Sequence, residues 1–226
     1  MPRDRLTKEE LHDDEFTESI VRIVSYVEHN YPKILAGLGA VVVAILIGYF
    51  VQDSANRRTQ AALDAIGDVQ VALMQGNTSS AITKAQAVIR DYSGEDIAGR
   101  ALVTLGNVYY DQGRFDEATS HYRQFLEASD NPGGPEGYGA YAGIAASMEA
   151  QGNAAGAAQQ YLSYADRFGK TPFAALALLE SARCNGVAGQ VEEAKSIYQR
   201  IRADYASSSA ARSAQTELEL LGIVAD

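Results

Sequence analysis

Gly113-Arg114-Phe115-Asp116-Glu117-Ala118 is the stretch that decides how this chain folds, because its spacing recurs. Gly76 stands five residues before Ala81, Gly113 before Ala118, Gly152 before Ala157 and Gly189 before Ala194. The glycines are 37, 39 and 37 residues apart, and nine residues beyond each of the last three comes a tyrosine: Tyr122, Tyr161 and Tyr198. A fixed period in this range marks a stacked repeat. Glycine ends one helix by taking the left-handed conformation, where it has no Cβ to clash. Alanine then lets the next helix approach its partner closely, and the tyrosine one turn further on fills the gap between repeats. The expectation is a chain of helical hairpins.

The second copy carries the fullest pattern: Leu102, Leu105, Gly106, Tyr109, Gly113, Ala118 and Tyr122. In order and spacing it resembles the tetratricopeptide repeat. Tyr141, Ile144, Ala145 and Met148 stand for the first-helix pattern in the third copy, and Leu178, Ser181, Ala182 and Asn185 in the fourth. The first copy has Ala85 where the others have the tyrosine. The fold class expected is all-α: one transmembrane helix, then a right-handed superhelix of about four degenerate tetratricopeptide-type hairpins, closed by a C-terminal capping helix.

Composition agrees. Five prolines, no tryptophan and long alanine-rich stretches favour helix. A formal net charge of −10 disfavours nucleic acid, whose phosphates need a basic face. The single cysteine, Cys184, has no internal disulfide partner and falls among small and apolar residues, as a packed core thiol would.

Taken in order, residues 1–33 form a charged tail with five basic residues and eight carboxylates. Thr7 and Glu10 have capping-box spacing. Phe16, Ile20, Ile23, Val24, Val27 and Tyr31 then fall on one helical face. That face suits a membrane surface or a partner; the acidic residues at its start disfavour anionic lipid and favour the partner. Pro32 is expected to break or kink the helix. Residues 34–51 are 18 residues without a charge, about 27 Å as helix and long enough for a membrane core. No cleavage site follows, so the segment reads as an uncleaved signal anchor. Residues 52–58 make a polar linker and 59–226 the repeat domain. Basic residues within one helix-length tie across the span, but the whole tail holds five, which places the tail inside and the repeats outside.

The hairpin boundaries expected are Thr59 to Met74 and Ser79 to Asp91, then Ile97 to Ala128, Tyr138 to Phe168 and Phe173 to Asp204. Ala210 to Leu221 is the capping helix, ended by Gly222. Ser129 to Gly137 forms a turn-rich loop that accounts for the longer period.

No catalytic or metal constellation emerges. His12, His29 and His121 are far apart, one thiol excludes a zinc knuckle, and no phosphate-binding glycine loop is present. Asp116-Glu117 and Glu192-Glu193 sit at helix starts, where they complement the macrodipole. The chain is therefore expected to be a non-enzyme without cofactor. What remains is surface. In tetratricopeptide arrays the first helices line a concave groove, which the resemblance maps to Arg100, Val103, Asn107, Tyr110 and Asp111, then Ala142, Ala146 and Glu149, then Leu179, Arg183 and Val187. This mixture suits an extended peptide or a partner helix. Arg100 and Asn107 are similar to the carboxylate-clamping side chains of some members, but the clamp's other basic residues are missing.

The whole layout resembles the ancillary tetratricopeptide subunit of the bacterial Sec translocon: acidic tail with amphipathic helix, one span, polar exit, then degenerate repeats. Phe16 to Asn30 and Arg57 to Ile66 carry the likeness beside the span. It implies an inner-membrane protein with periplasmic repeats, binding translocon subunits through Phe16, Ile20, Val24 and Val27 and linking emerging chains to periplasmic chaperones. The segment Tyr198 to Gly222 instead resembles the last repeat of Tol-Pal-associated and outer-membrane-assembly proteins, which implies a general envelope scaffold.

Overall fold

The computed structural model describes residues 8–221, with side chains described from residue 17 onward apart from Ile34. Thr7, the Phe16 side chain and Gly222 lie outside the described residues. Among the described residues the chain is helical, with no strand: α1 (Lys8–Met74), α2 (Thr78–Asp91), α3 (Asp96–Asp111), α4 (Phe115–Ala128), α5 (Pro135–Ala150), α6 (Ala154–Arg167), α7 (Ala174–Val187), α8 (Val191–Asp204) and α9 (Ser209–Leu220). It divides into two compact units, Met1–Thr59 and Gln60–Asp226.

The hairpins are closed by one device used four times. Gly76, Gly113, Gly152 and Gly189 have φ of 70°, 72°, 81° and 77°, the left-handed region that a side chain resists. In each turn two backbone bonds run back into the preceding helix; at the second turn they are Gly113 N–H to the Tyr110 carbonyl and Arg114 N–H to the Tyr109 carbonyl, both 2.9 Å. This is the Schellman arrangement, which satisfies carbonyls that a helix end leaves bare. The next residue is already the cap of the following helix. Its carbonyl accepts from the crossing alanine: Ala81, Ala118, Ala157 or Ala194. In the first and third turns the cap is asparagine, and Asn77 and Asn153 also accept through their side chains from Ser80 and Gly156. Local chemistry alone therefore sets each reversal of direction.

Packing follows from the same residues. The four crossing alanines are at most 2% exposed, so neighbouring helices approach without an intervening side chain. Tyr122 of α4 reaches between two first helices and lies against Gly106 of α3 and Gly143 of α5, each so close that a Cβ there would collide with its ring. Its hydroxyl donates to Asn107 Oδ1 at 2.7 Å. One core gathers Val69, Leu102, Leu105, Tyr122 and Ile144; the other gathers Tyr141, Tyr164, Leu178, Ile201 and Leu218. Leu126 and Met148 pack against both. Burying each large side chain is worth about 1.5–3 kcal/mol, so the shared layer at α5 couples the two halves.

The longer third period is a built loop. Helix α5 starts at Pro135, earlier than the expected Tyr138, with proline in the first helical turn where its missing N–H costs nothing. Gly137 in that turn lies against the Pro132 carbonyl, leaving no room for a Cβ. The buried Tyr164 hydroxyl donates to the Gly133 carbonyl at 2.8 Å. Helix α9 packs on α7 and α8, and the Ser208 hydroxyl accepts from Ala211 N–H at 3.0 Å as its cap. Ser208, in the middle of the run Ser207-Ser208-Ser209, thus supplies the cap.

In the first unit, α1 continues through Pro32 with no break. A proline removes one backbone bond and costs about 3 kcal/mol. Ending a helix beside an apolar run would strand several carbonyl and N–H groups instead, and continuity is the smaller loss. The polar stretch after the apolar run is helical as well, with Arg57 paired to Asp53 at 2.8 Å and Gln52 bonded to Asn56 at 3.0 Å. Among the described residues, one helix segment, Leu35–Met74, is long and apolar enough to cross a membrane; its most apolar window has a mean hydropathy of 2.2 and none of it is buried within the protein.

Candidate functional site

The expected groove residues do not form one continuous surface of free side chains. On α3, Arg100 and Asp111 are exposed, whereas Val103 and Tyr110 are half-buried, Tyr110 packing edge-on against Phe115 with ring centres 5.4 Å apart. Asn107 is exposed but holds the Tyr122 hydroxyl, so part of its hydrogen-bonding capacity belongs to the fold. Glu149 of α5 and Arg183 of α7 meet each other. Arg183 Nη1 and Nη2 donate to the two Glu149 carboxylate oxygens at 2.9 and 2.7 Å, and its Nε donates to Glu180 at 2.8 Å. These bonds raise the arginine pKa further and hold the Glu149 carboxyl below the usual carboxylate range. Cys184 lies beside them, fully buried, its thiol pushed up to about 12 chiefly by burial; this is a core thiol, not a nucleophile.

Around Arg183 the surface opens into a groove of about 530 Å³ between α7, α8 and α9. Leu179 and Val187 of α7 line it with Arg183, so the α7 candidates come together there. Val191, Ala194 and Tyr198 come from α8, and Ser213, Glu217 and Leu221 from the last helix and its end. Glu180 completes the wall. The sequence reading missed Glu180, Val191, Glu217 and Leu221. One signal was available: Val191 at the start of α8 and Leu221 at the end of α9 are aliphatic positions outside the buried stripes of their helices. The α3 candidates do not line this groove.

The second expected surface lies in the first unit. Ile20, Val24 and Val27 are 45%, 49% and 42% exposed, and Val21 and Ile23 are more so. Elsewhere, His121 stacks on Tyr109 with ring centres 5.2 Å apart, and the Arg114 guanidinium lies 4.3 Å from the same tyrosine ring centre. The His121 Nδ1 has no hydrogen-bond partner, and burial pushes its pKa down, opposed by nearby Glu117. Among the described residues no group of histidine, cysteine and carboxylate side chains is arranged to hold a metal ion.

A domain of stacked glycine-closed hairpins with an apolar groove at one end defines a helical-repeat binding protein. The tetratricopeptide-repeat family model matches residues 68–135 and again 103–172, and a second tetratricopeptide-repeat model matches 176–208. The chain belongs to the tetratricopeptide-repeat family. Two similar solved structures are a kinesin light chain of nearly identical tetratricopeptide-like repeats from Podosopora anserina and a single-substitution variant of it. The variant is 18% identical with a TM-score of 0.52, covering 64% of this chain and 74% of that one. The parent is 17% identical with a TM-score of 0.53, covering 66% and 76%. At these identities the likeness is one of fold. Among curated proteins none matches the sequence. As a tetratricopeptide-repeat protein, the chain is a protein–protein interaction scaffold, of a class generally without catalytic activity.

Proposed function

We propose that this scaffold is anchored in a bacterial inner membrane, holds its repeats in the periplasm, and works beside the Sec translocon, linking translocated chains to periplasmic chaperones. The observation that carries the reading is the pairing, in one chain, of an apolar segment with no cover from the protein itself and a repeat domain with an open groove. An apolar helix left entirely exposed is stable in lipid and not in water. The exposed aliphatic face of Ile20, Val24 and Val27 then faces a membrane partner, while the repeats, with Arg100, Val103, Tyr110 and Leu179 among their candidates, bind soluble proteins.

Photo-crosslinking in intact cells from positions Leu46 and Val187, followed by mass spectrometry, tests both halves. Translocon subunits are expected from the span, and chaperones or translocated chains from the groove. Cytosolic proteins crosslinked at Val187 would overturn the topology and the function together. Alkaline phosphatase fused after Asp226 is expected to be active, and an inactive fusion would overturn the topology separately.

A further inference from the structure

The groove at the end of the repeats has an aliphatic lining and an acidic edge. Val187 is 67% exposed, Val191 41% and Leu221 39%, so aliphatic surface faces water on several sides of one hollow. Covering it is favourable for any ligand that brings matching apolar groups. A space of about 530 Å³ takes a few side chains of a bound segment.

Its charge is one-sided. Arg183, the cation of the lining, already donates to both oxygens of Glu149 and to Glu180. Glu217 enters none of the ion pairs formed in this region among the described residues. Three carboxylates, Glu149, Glu180 and Glu217, thus stand against one guanidinium, and the excess is negative. Tyr198 on the groove floor lies within reach of these charges: after burial itself, Glu217 pushes its pKa up, Arg183 pushes it down, and Glu180 pushes it up again. Two carboxylates on different helices therefore bear on one point.

We infer that this groove holds a segment of another polypeptide that sets a lysine or arginine beside leucine-like side chains. The aliphatic groups cover Val187, Val191 and Leu221, and the cation meets Glu217 and Glu180. This rests on the scaffold reading above and names the chemistry of its partner. An acidic segment would meet like charge here, which costs affinity and slows encounter. A second copy of the chain, with a formal net charge of −10, is repelled in the same way.

The test uses the full chain in non-ionic detergent, with protein-free micelles as blank, and reads anisotropy of a labelled peptide, Ala-Leu-Lys-Ala-Leu-Leu-Lys-Ala. A second peptide has glutamate for each lysine, and a third has serine for each leucine. The lysine peptide should bind roughly tenfold or more tighter than either, the gap to the glutamate peptide narrowing as salt screens the charges. Glu217→Lys, which balances the two remaining carboxylates with two cations, should abolish the lysine–glutamate preference, and Val187→Asp should weaken the lysine peptide. Both positions are exposed, and helical circular dichroism checks that the variants fold; Glu217→Gln, which keeps the side-chain shape, should give an intermediate loss. Equal binding of the first two peptides, no binding of any, or a Glu217→Lys variant with unchanged affinity would overturn the inference. Crosslinks from Val187 to partners lacking any basic-aliphatic segment would overturn it while leaving the scaffold reading intact. So would self-association abolished by Val187→Asp, which would assign the groove to a second copy.

Discussion

Gly143→Ala should destabilise the repeat domain, although alanine is the better helix residue. A Cβ at Gly143 would sit 2.5 Å from Tyr122 Cε2 and 2.9 Å from its hydroxyl. The ring cannot retreat easily. It is 2% exposed, its hydroxyl is held by Asn107, and Gly106 closes on its other side. Replacing a helix glycine by alanine gains roughly 0.5–1 kcal/mol from the backbone, whereas forcing a methyl into a packed site costs about 1–3 kcal/mol. At the middle of these ranges the net is a loss of about 1 kcal/mol, or roughly 2–4 °C in Tm for a domain of this size. Gly139 is the control, since it lies in the same helix and a Cβ there meets nothing within 4 Å. Gly139→Ala should therefore raise Tm by a few degrees. In a Tyr122→Leu background, where the ring is gone, Gly143→Ala should no longer destabilise. The assay is thermal unfolding of the full chain in detergent, followed by near-ultraviolet circular dichroism of its tyrosines; the chain has no tryptophan to mask them. If Gly143→Ala raised Tm as Gly139→Ala does, or if its penalty survived the loss of the ring, the packing argument would be refuted.

Cys184 should resist a water-soluble thiol reagent in mildly alkaline buffer, because the side chain is fully buried and its thiol is pushed up to about 12. Rapid labelling of the native protein, at the rate of a denatured control, would show that the α7 register is wrong. His121 should make the domain less stable in mild acid. Its folded pKa lies below the ordinary 6.5 because burial favours the neutral ring, so its contribution is intact above the unfolded pKa and is lost as pH falls towards the folded one. His121→Phe keeps a ring to stack on Tyr109 and should flatten that limb of the stability curve; an unchanged slope between about pH 7 and pH 5 would assign it to other groups.

The direction reversals of this chain are legible in its sequence because they are local. A glycine five residues before an alanine, recurring every 37 to 39 residues, marks a left-handed turn, a pair of backward hydrogen bonds and a close helix crossing, all within a few residues of the chain. All four turns occur at the expected glycines, and α2, α4 and α8 end at Asp91, Ala128 and Asp204 as expected. Cys184 was legible as core for the same reason, its place in the first-helix pattern. The candidate site was less so. Glu149 and Arg183 each look available to a ligand when their helices are read singly, yet they are 34 residues apart in sequence and 2.7 Å apart in space. Whether two such side chains meet depends on how far one hairpin is rotated against the next, and that is the summed result of many contacts such as Tyr122 between Gly106 and Gly143. Tyr164 reaching back to the Gly133 carbonyl is of the same kind, as is the groove that Leu221 shares with Val187 and Val191. Backbone preference acts over a few residues and is written in order along the chain; side-chain partnership between hairpins is decided by their packing, which no short stretch of sequence contains.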